Sequence, residues 1–145
     1  MPVVVAAGFN HVGQCVTDLE RSRRFYVEVF GFEVARELRP PDQGSDRLLR
    51  LTPPMGITAC YLKRDDFVLE LLHFADGGTV PGEDRVMNQP GLTHVSLSVD
   101  DLDEALAAVE AHGGEVLTDT KLGMAVFVKD PDGQLLELLT GWDKP

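Results

Sequence analysis

The sequence predicts an α+β protein in which one strand–helix–strand unit is used twice. Three observations carry this. The apolar phrase Val68-Leu69-Glu70-Leu71-Leu72 returns as Leu135-Leu136-Glu137-Leu138-Leu139, each with a single carboxylate at its centre. The phrase Phe9-Asn10-His11-Val12 returns as Leu92-Thr93-His94-Val95, and the offset 94 − 11 = 83 also aligns Val16 with Val99, Asp18 with Asp101 and Leu19 with Leu102. Between these markers each copy passes from strand periodicity to helical periodicity and back. After a one-residue slip, Gly31 to Val34 matches Gly113 to Val116, an offset of 82, whereas Glu70 and Glu137 lie 137 − 70 = 67 apart. Copy one is therefore longer by about 82 − 67 = 15 residues, and the polar, Pro- and Gly-containing stretch Arg39–Gly56 accounts for the excess.

In copy one, residues 8–16 alternate as a strand, with Phe9, His11, Gly13 and Cys15 on one face and Val12 and Val16 on the other. Thr17 and Glu20 have capping-box spacing before a helix whose apolar stripe is Leu19, Tyr26, Val29 and Phe30, stopped by Gly31. Strands are expected near 32–38, 47–51, 57–63 and 66–74. Ala75–Gly91, with Gly77-Gly78, Pro81-Gly82 and Pro90-Gly91, reads as a long linker able to cover a site. In copy two a first strand places Thr93, Val95, Leu97 and Val99 on one face and His94, Ser96 and Ser98 on the other. Asp100 or Asp101 caps a helix with the stripe Leu102, Ala105, Leu106 and Val109, ended by His112 and Gly113-Gly114. Strands near 115–118, 123–129 and 134–140 follow, the last two joined through the turn signal Asp132-Gly133. The whole is one domain over residues 1–145: module one about 7–75, linker about 76–91, module two about 92–141.

Composition narrows the function classes. A net charge of −11 disfavours nucleic acid and anionic membranes. No apolar run approaches the roughly 18 to 20 residues of a membrane helix. The start, Met1 to Ala7, lacks the basic region and the apolar length of a signal peptide. Two cysteines, Cys15 and Cys60, make no disulfide framework; they read as small core residues of a reduced, cytoplasmic protein.

A carboxylate buried alone in an apolar strand costs several kcal/mol, so it shifts its pKa, finds a cation or binds a metal. Here the carboxylate recurs at the same place in both copies, and so does a histidine. Beyond each histidine the face carries small residues: Gly13 and Cys15 after His11, Ser96 and Ser98 after His94. If the two sheets curl and face each other, His11, Glu70, His94 and Glu137 converge. Two neutral imidazoles and two carboxylates balance one divalent cation, and this donor set suits Zn, Ni, Co, Mn or Fe(II). Arg47, Arg50 and Lys121 are candidate anchors for an anionic substrate, although a solvated surface role is the commoner one. His73, three residues from Glu70, points to the opposite face. Trp142 is expected to pack the end of the last strand.

At Asn10-His11-Val12, at Asp130-Pro131-Asp132-Gly133-Gln134-Leu135-Leu136-Glu137, and in the repeat itself, the chain resembles the vicinal oxygen chelate superfamily, the group of glyoxalase I, methylmalonyl-CoA epimerase, bleomycin resistance proteins and extradiol dioxygenases. The resemblance covers about residues 7–141. It implies paired βαβββ modules whose curved mixed sheets form an open barrel-like cup around one divalent metal, with ligands at His11, Glu70, His94 and Glu137. The ligand order is most similar to that of glyoxalase I. Cys15 stands where that family carries an arginine for the glutathione carboxylate, and Phe74 where it carries an asparagine. The implied activity is that of a lyase or isomerase. Proton abstraction alpha to a carbonyl gives an enolate stabilised by the metal through two adjacent substrate oxygens; Glu137 is the principal base and Glu70 serves the other face. A homodimer is implied too, with ligands from one chain or from two. The competing readings are a small-molecule binding or resistance protein, which would retain its ligand without turnover, and an extradiol-type dioxygenase, which needs open positions on Fe(II) and is disfavoured by a ligand at Glu70.

Overall fold

The structure is a computed structural model that describes residues 8–142, 144 and 145. The readings of the Met1–Ala7 start and of a module boundary at residue 7 lie outside the described residues. Module one runs β1 (Val12–Cys15), α1 (Leu19–Arg24), which continues as a π-helical turn over Phe25–Val29, β2 (Glu33–Leu38), α2 (Asp42–Leu49), β3 (Ile57–Arg64) and β4 (Phe67–Phe74). Module two runs β5 (Val95–Ser98), α3 (Leu102–Ala111), β6 (Glu115–Leu122), β7 (Ala125–Lys129) and β8 (Leu135–Leu139). Each module builds one four-stranded mixed sheet, with orders β1-β4-β3-β2 and β5-β8-β7-β6. In both, the first strand pairs parallel with the last and the other pairings are antiparallel. The repeat read from the sequence is thus a repeat of topology. The sheets are separate and do not close into a barrel.

The alternation in the last strands sorts their side chains. Leu69 and Leu71 of β4, and Leu136 and Leu138 of β8, are fully buried in the core, which leaves Glu70 and Glu137 on the opposite faces. The core is continuous between modules: Phe25, Tyr26 and Phe30 from the first helical segment meet Val109 of α3 and Val126, Val128, Leu136 and Leu138 of the second sheet. Each large apolar side chain buried there contributes about 1.5–3 kcal/mol.

The loop Asp130–Gln134 fastens the modules together. Asp130 Oδ1 accepts from the backbone N–H groups of Asp132 and Gln134, both at 2.9 Å. Asp130 Oδ2 accepts from the Tyr26 hydroxyl at 2.7 Å and from Gln14 Nε2 at 3.1 Å. Asp132 accepts from the Thr17 hydroxyl, from Arg21 at 3.0 Å and from Ser22 at 3.2 Å. On the outer side His112 of module two meets Glu28 of module one at 2.9 Å, a hydrogen bond that holds the Glu28 carboxyl below its usual range.

Several expectations need correction. The strand expected at 47–51 is helix α2, kinked at Gln43 and Gly44. The apolar residues 48, 49 and 51 fit a helical turn as well as a strand, and Asp42 settles the matter by accepting from the N–H groups of Met55 (2.9 Å) and Gly56 (3.3 Å). The cap of α1 is Asp18, which accepts from Arg21 N at 3.0 Å; Thr17 serves Asp132 instead. Asp101 caps α3 through Glu104 N. Cys60 is a core residue, but Cys15 is exposed. Trp142 does not pack down; it is 59% exposed. The linker after β4, residues 75–91, does not line the groove between the modules described below.

Candidate metal centre

Glu70 sits mid-strand on β4, opposite Gly13 on β1 and Tyr61 on β3. It is 9% exposed. A Cβ on Gly13 would stand 3.0 Å from Glu70 Oε1, so the room that the sequence left beyond His11 is taken up by this carboxylate. Glu137 repeats the arrangement on β8, opposite Ser96 and Phe127, and here Ser96 Oγ donates to Glu137 Oε1 at 2.9 Å.

Each histidine comes immediately before its module's first strand, with its ring edge-on to an aromatic. His11 meets Tyr61 (centroids 5.3 Å apart, 87°) and His94 meets Phe127 (5.2 Å, 85°). These aromatics are the residues paired across the ladder with the glutamates. His11 Nδ1 is held by Asn10 Oδ1 and His94 Nδ1 by Thr93 Oγ1 at 2.8 Å. An amide oxygen only accepts, so His11 Nδ1 donates to it, and in the neutral ring the Nε2 lone pair faces Glu70. Nε2 lies 3.5 Å from Glu70 Oε1 in module one and 3.8 Å from Glu137 Oε1 in module two. Both separations exceed a hydrogen bond. A neutral ring that turns its Nε2 lone pair to the carboxylate repels it unless a cation joins the two atoms, and nitrogen and oxygen ligands of one tetrahedral ion lie about 3.4 Å apart. The residues present therefore fit a metal, with Asn10 and Thr93 fixing the outer ring nitrogens as orienting partners do.

Tyr61, Phe127, Asn10 and Thr93 were not singled out from the sequence. Tyr61 and Phe127 are found only through ladder register. The two neighbours that hold the rings, Asn10 and Thr93, lie in the repeated histidine phrase itself. A hydrogen bond to Glu70, burial and the nearby charge of Glu70 push the Tyr61 phenol up to about 12, with the Arg36 charge working against them.

Within one chain the four predicted ligands form two pairs. Among the described residues no three His, Cys, Asp or Glu side chains come together to hold an ion. A groove of about 1490 Å³ between the modules is lined by His94, Ser96 and Glu137 from one side and by Gly13 and Gln14 from the other, but not by His11 or Glu70. Arg47 and Arg50 belong to α2 and its C-cap, Lys121 pairs with Asp103 at 3.5 Å, and none of the three lines the groove. Among the described residues no helix is long and apolar enough to cross a membrane.

Comparison with known proteins agrees with this architecture. The family model of the Glyoxalase/Bleomycin resistance protein/Dioxygenase superfamily matches residues 8–138. A putative lactoylglutathione lyase of Brassica oleracea var. gemmifera is 33% identical over 142 residues, which cover 90% of this chain and 43% of that protein; the chain spans less than half the length of this relative. The mitochondrial methylmalonyl-CoA epimerase of Bos taurus is 26% identical over 145 residues, covering 94% of this chain and 76% of the epimerase. The crystal structure of a glyoxalase family protein from Bacillus cereus superposes with a TM-score of 0.78 at 19% identity, over 97% of both chains, a likeness of fold. A doubled module, a His–Glu pair on each sheet and a family match that runs from before β1 into β8 have one explanation: this chain belongs to the glyoxalase/bleomycin resistance protein/dioxygenase superfamily, the vicinal oxygen chelate proteins.

Proposed function

We propose that the chain is a metal-dependent isomerase or lyase acting by proton abstraction alpha to a carbonyl, and that two copies complete each centre. His11 and Glu70 of one copy join His94 and Glu137 of the other around one divalent ion. The observation that carries this reading is the same imidazole–carboxylate pair on both sheets, at 3.5 and 3.8 Å. One pair supplies two donors, whereas zinc and its neighbours take four or more. Two pairs make a set of two nitrogens and two oxygens whose negative charges offset a divalent cation. Both first strands are sheet edges with no further strand beside them among the described residues, which suits completion by a second chain.

When bound, the ion supplies Lewis acidity to two adjacent oxygens of the substrate. The chain's own groups do the rest. Glu137, steadied by the Ser96 hydroxyl, takes the proton from the carbon alpha to the carbonyl. Glu70, paired with Tyr61 across the ladder, serves the opposite face of the same carbon. Proton return to that face is epimerisation; return to the neighbouring carbon is isomerisation. The relatives' names, a lyase and an epimerase, support both outcomes.

The test has two steps. Metal titration is expected to give one divalent ion per chain, lost in His11→Ala and in His94→Ala. In deuterium oxide the loaded protein is then expected to exchange a carbon-bound proton of a 2-oxo acid, a 2-hydroxy carbonyl or an acyl thioester. No metal uptake by the wild type refutes the proposal. Uptake with tight retention of an apolar compound and no exchange favours a binding protein instead.

A further inference from the structure

The two half-sites share histidine, carboxylate and ring, and differ in what stands beyond the ring. In both modules the second strand starts in step: Glu33 pairs Lys63 and Val34 pairs Leu62, as Glu115 pairs Lys129 and Val116 pairs Val128. The next pair in module two is Leu117 with Phe127, but in module one it is Arg36 with Tyr61, because the register shifts between Val34 and Arg36. Ala35 is the extra residue. Without this bulge Ala35 alone would stand opposite Tyr61; with it, Arg36 takes the position that Leu117 holds in the other module. Bulges beside active sites re-aim side chains in this way. Residues paired across a ladder share a face, so Arg36, Tyr61, Glu70 and Gly13 form one row over four strands, ending beside His11. Arg36 lies two strand spacings from Glu70, about 10 Å.

Arg36 is exposed and, among the described residues, makes no ion pair, while the adjacent Glu37 is met by both Arg23 and Arg39. In a chain of net charge −11 this places a free guanidinium on the carboxylate's own face. None of the three anchors expected from the sequence is on this row: Arg47 and Arg50 are on α2 and its cap, and Lys121 is paired.

We infer that Arg36 determines substrate specificity by receiving an anionic group, a carboxylate or phosphate, at the end of the substrate remote from its two adjacent oxygens. Phe127 and Leu117 of the other half-site take the apolar portion. The substrate is thus an amphiphilic carbonyl compound with an oxyanion tail. This rests on the reading of the His–Glu pairs as a metal centre, so the test keeps the two apart.

The test uses Co(II)-loaded protein and two hydroxamates, each offering two adjacent oxygens: acetohydroxamic acid, with a neutral methyl tail, and succinic monohydroxamic acid, with a carboxylate tail. Binding is followed by the visible bands of Co(II). The wild type is expected to bind the carboxylate-tailed probe about tenfold more tightly, the size of one charge-assisted hydrogen bond. Arg36→Leu, which copies the other module, is expected to abolish that preference and leave acetohydroxamate and Co(II) affinities within about twofold. Arg36→Lys keeps charge without the two-pronged donor and is expected to retain part of the preference. Arg36 is exposed, so neither variant threatens the fold. Equal affinities in the wild type, or weakening of both probes alike by Arg36→Leu, overturns this inference and leaves the metal centre standing. Failure of the wild type to take up Co(II) overturns the metal centre and this inference with it.

Discussion

Asp130 is an acid placed where four donors need it, and the donors come from both modules. Replacing it with alanine orphans two backbone N–H groups and the Tyr26 hydroxyl, which is itself buried. Asp130→Ala is therefore expected to cost about 2–4 kcal/mol in urea unfolding, and Asp130→Asn, which still accepts from both amides, about 1 kcal/mol. Burial is the largest influence on this carboxyl and raises it above 3.8, against the lowering by its hydrogen bonds. A native value above the unfolded one gives stability that is full below about 3.8 and lost as pH rises through the native value. Asparagine does not titrate, so the advantage of wild type over Asp130→Asn is expected to shrink as pH is raised from about 3.8. A difference that grows over that range would reverse the sign argued here. The sequence showed this loop as a turn signal and as part of the phrase that carries the family resemblance, not as a tie between modules, because its donors in module one lie more than a hundred positions away, as with Tyr26 at a separation of 104. The ligand candidates were legible for the opposite reason: a carboxylate inside an apolar strand is a local pattern, and the repeat displays it twice.

Among the elements, β1 and β4 show how a strand pair makes room for chemistry. Gly13 is not strained, since it is absent from the glycines with positive φ, yet its missing side chain leaves the space that Glu70 uses. Gly13→Ala is expected to keep or slightly raise thermal stability, because alanine lowers the entropy of the unfolded chain. It is also expected to displace the Glu70 carboxylate and weaken Co(II) binding about tenfold, the effect of disturbing one ligand. Unchanged metal affinity would remove Glu70 from the ligand set. Gly31→Ala is the contrasting case: φ is +67° and the new Cβ would run into the Arg64 guanidinium, so it is expected to lose stability. The element order of both modules followed from periodicity. Helix α2 did not, since five residues with apolar positions at 48, 49 and 51 satisfy either period. The bulge at Ala35 did not either, since a bulge exists only relative to the strand beside it.

At the scale of the whole molecule, the question is why one chain carries two His–Glu pairs that do not meet. The modules are fixed relative to each other by their shared core and by Asp130 and Asp132, which tie the β7–β8 loop to Tyr26, Gln14, Thr17 and Arg21. Moving His11 and Glu70 against His94 and Glu137 within the chain would break that contact. A symmetric dimer avoids the cost, because each first module can then meet the second module of its partner and both centres are equivalent. This arrangement makes a prediction that a single-chain centre does not. Purified alone, His11→Ala and His94→Ala are each expected to bind no Co(II). Mixed in equal amounts and allowed to exchange subunits, they form mixed dimers in which one centre lacks both histidines and the other is intact. Random exchange makes about half of the dimers mixed, so the mixture is expected to recover about one quarter of the wild-type Co(II) capacity per chain. Recovery grows with the time of exchange and is blocked when the variants are kept separate until the metal is measured. If the four ligands came from one chain, every chain in the mixture would lack a histidine at its only centre, and no exchange would restore binding.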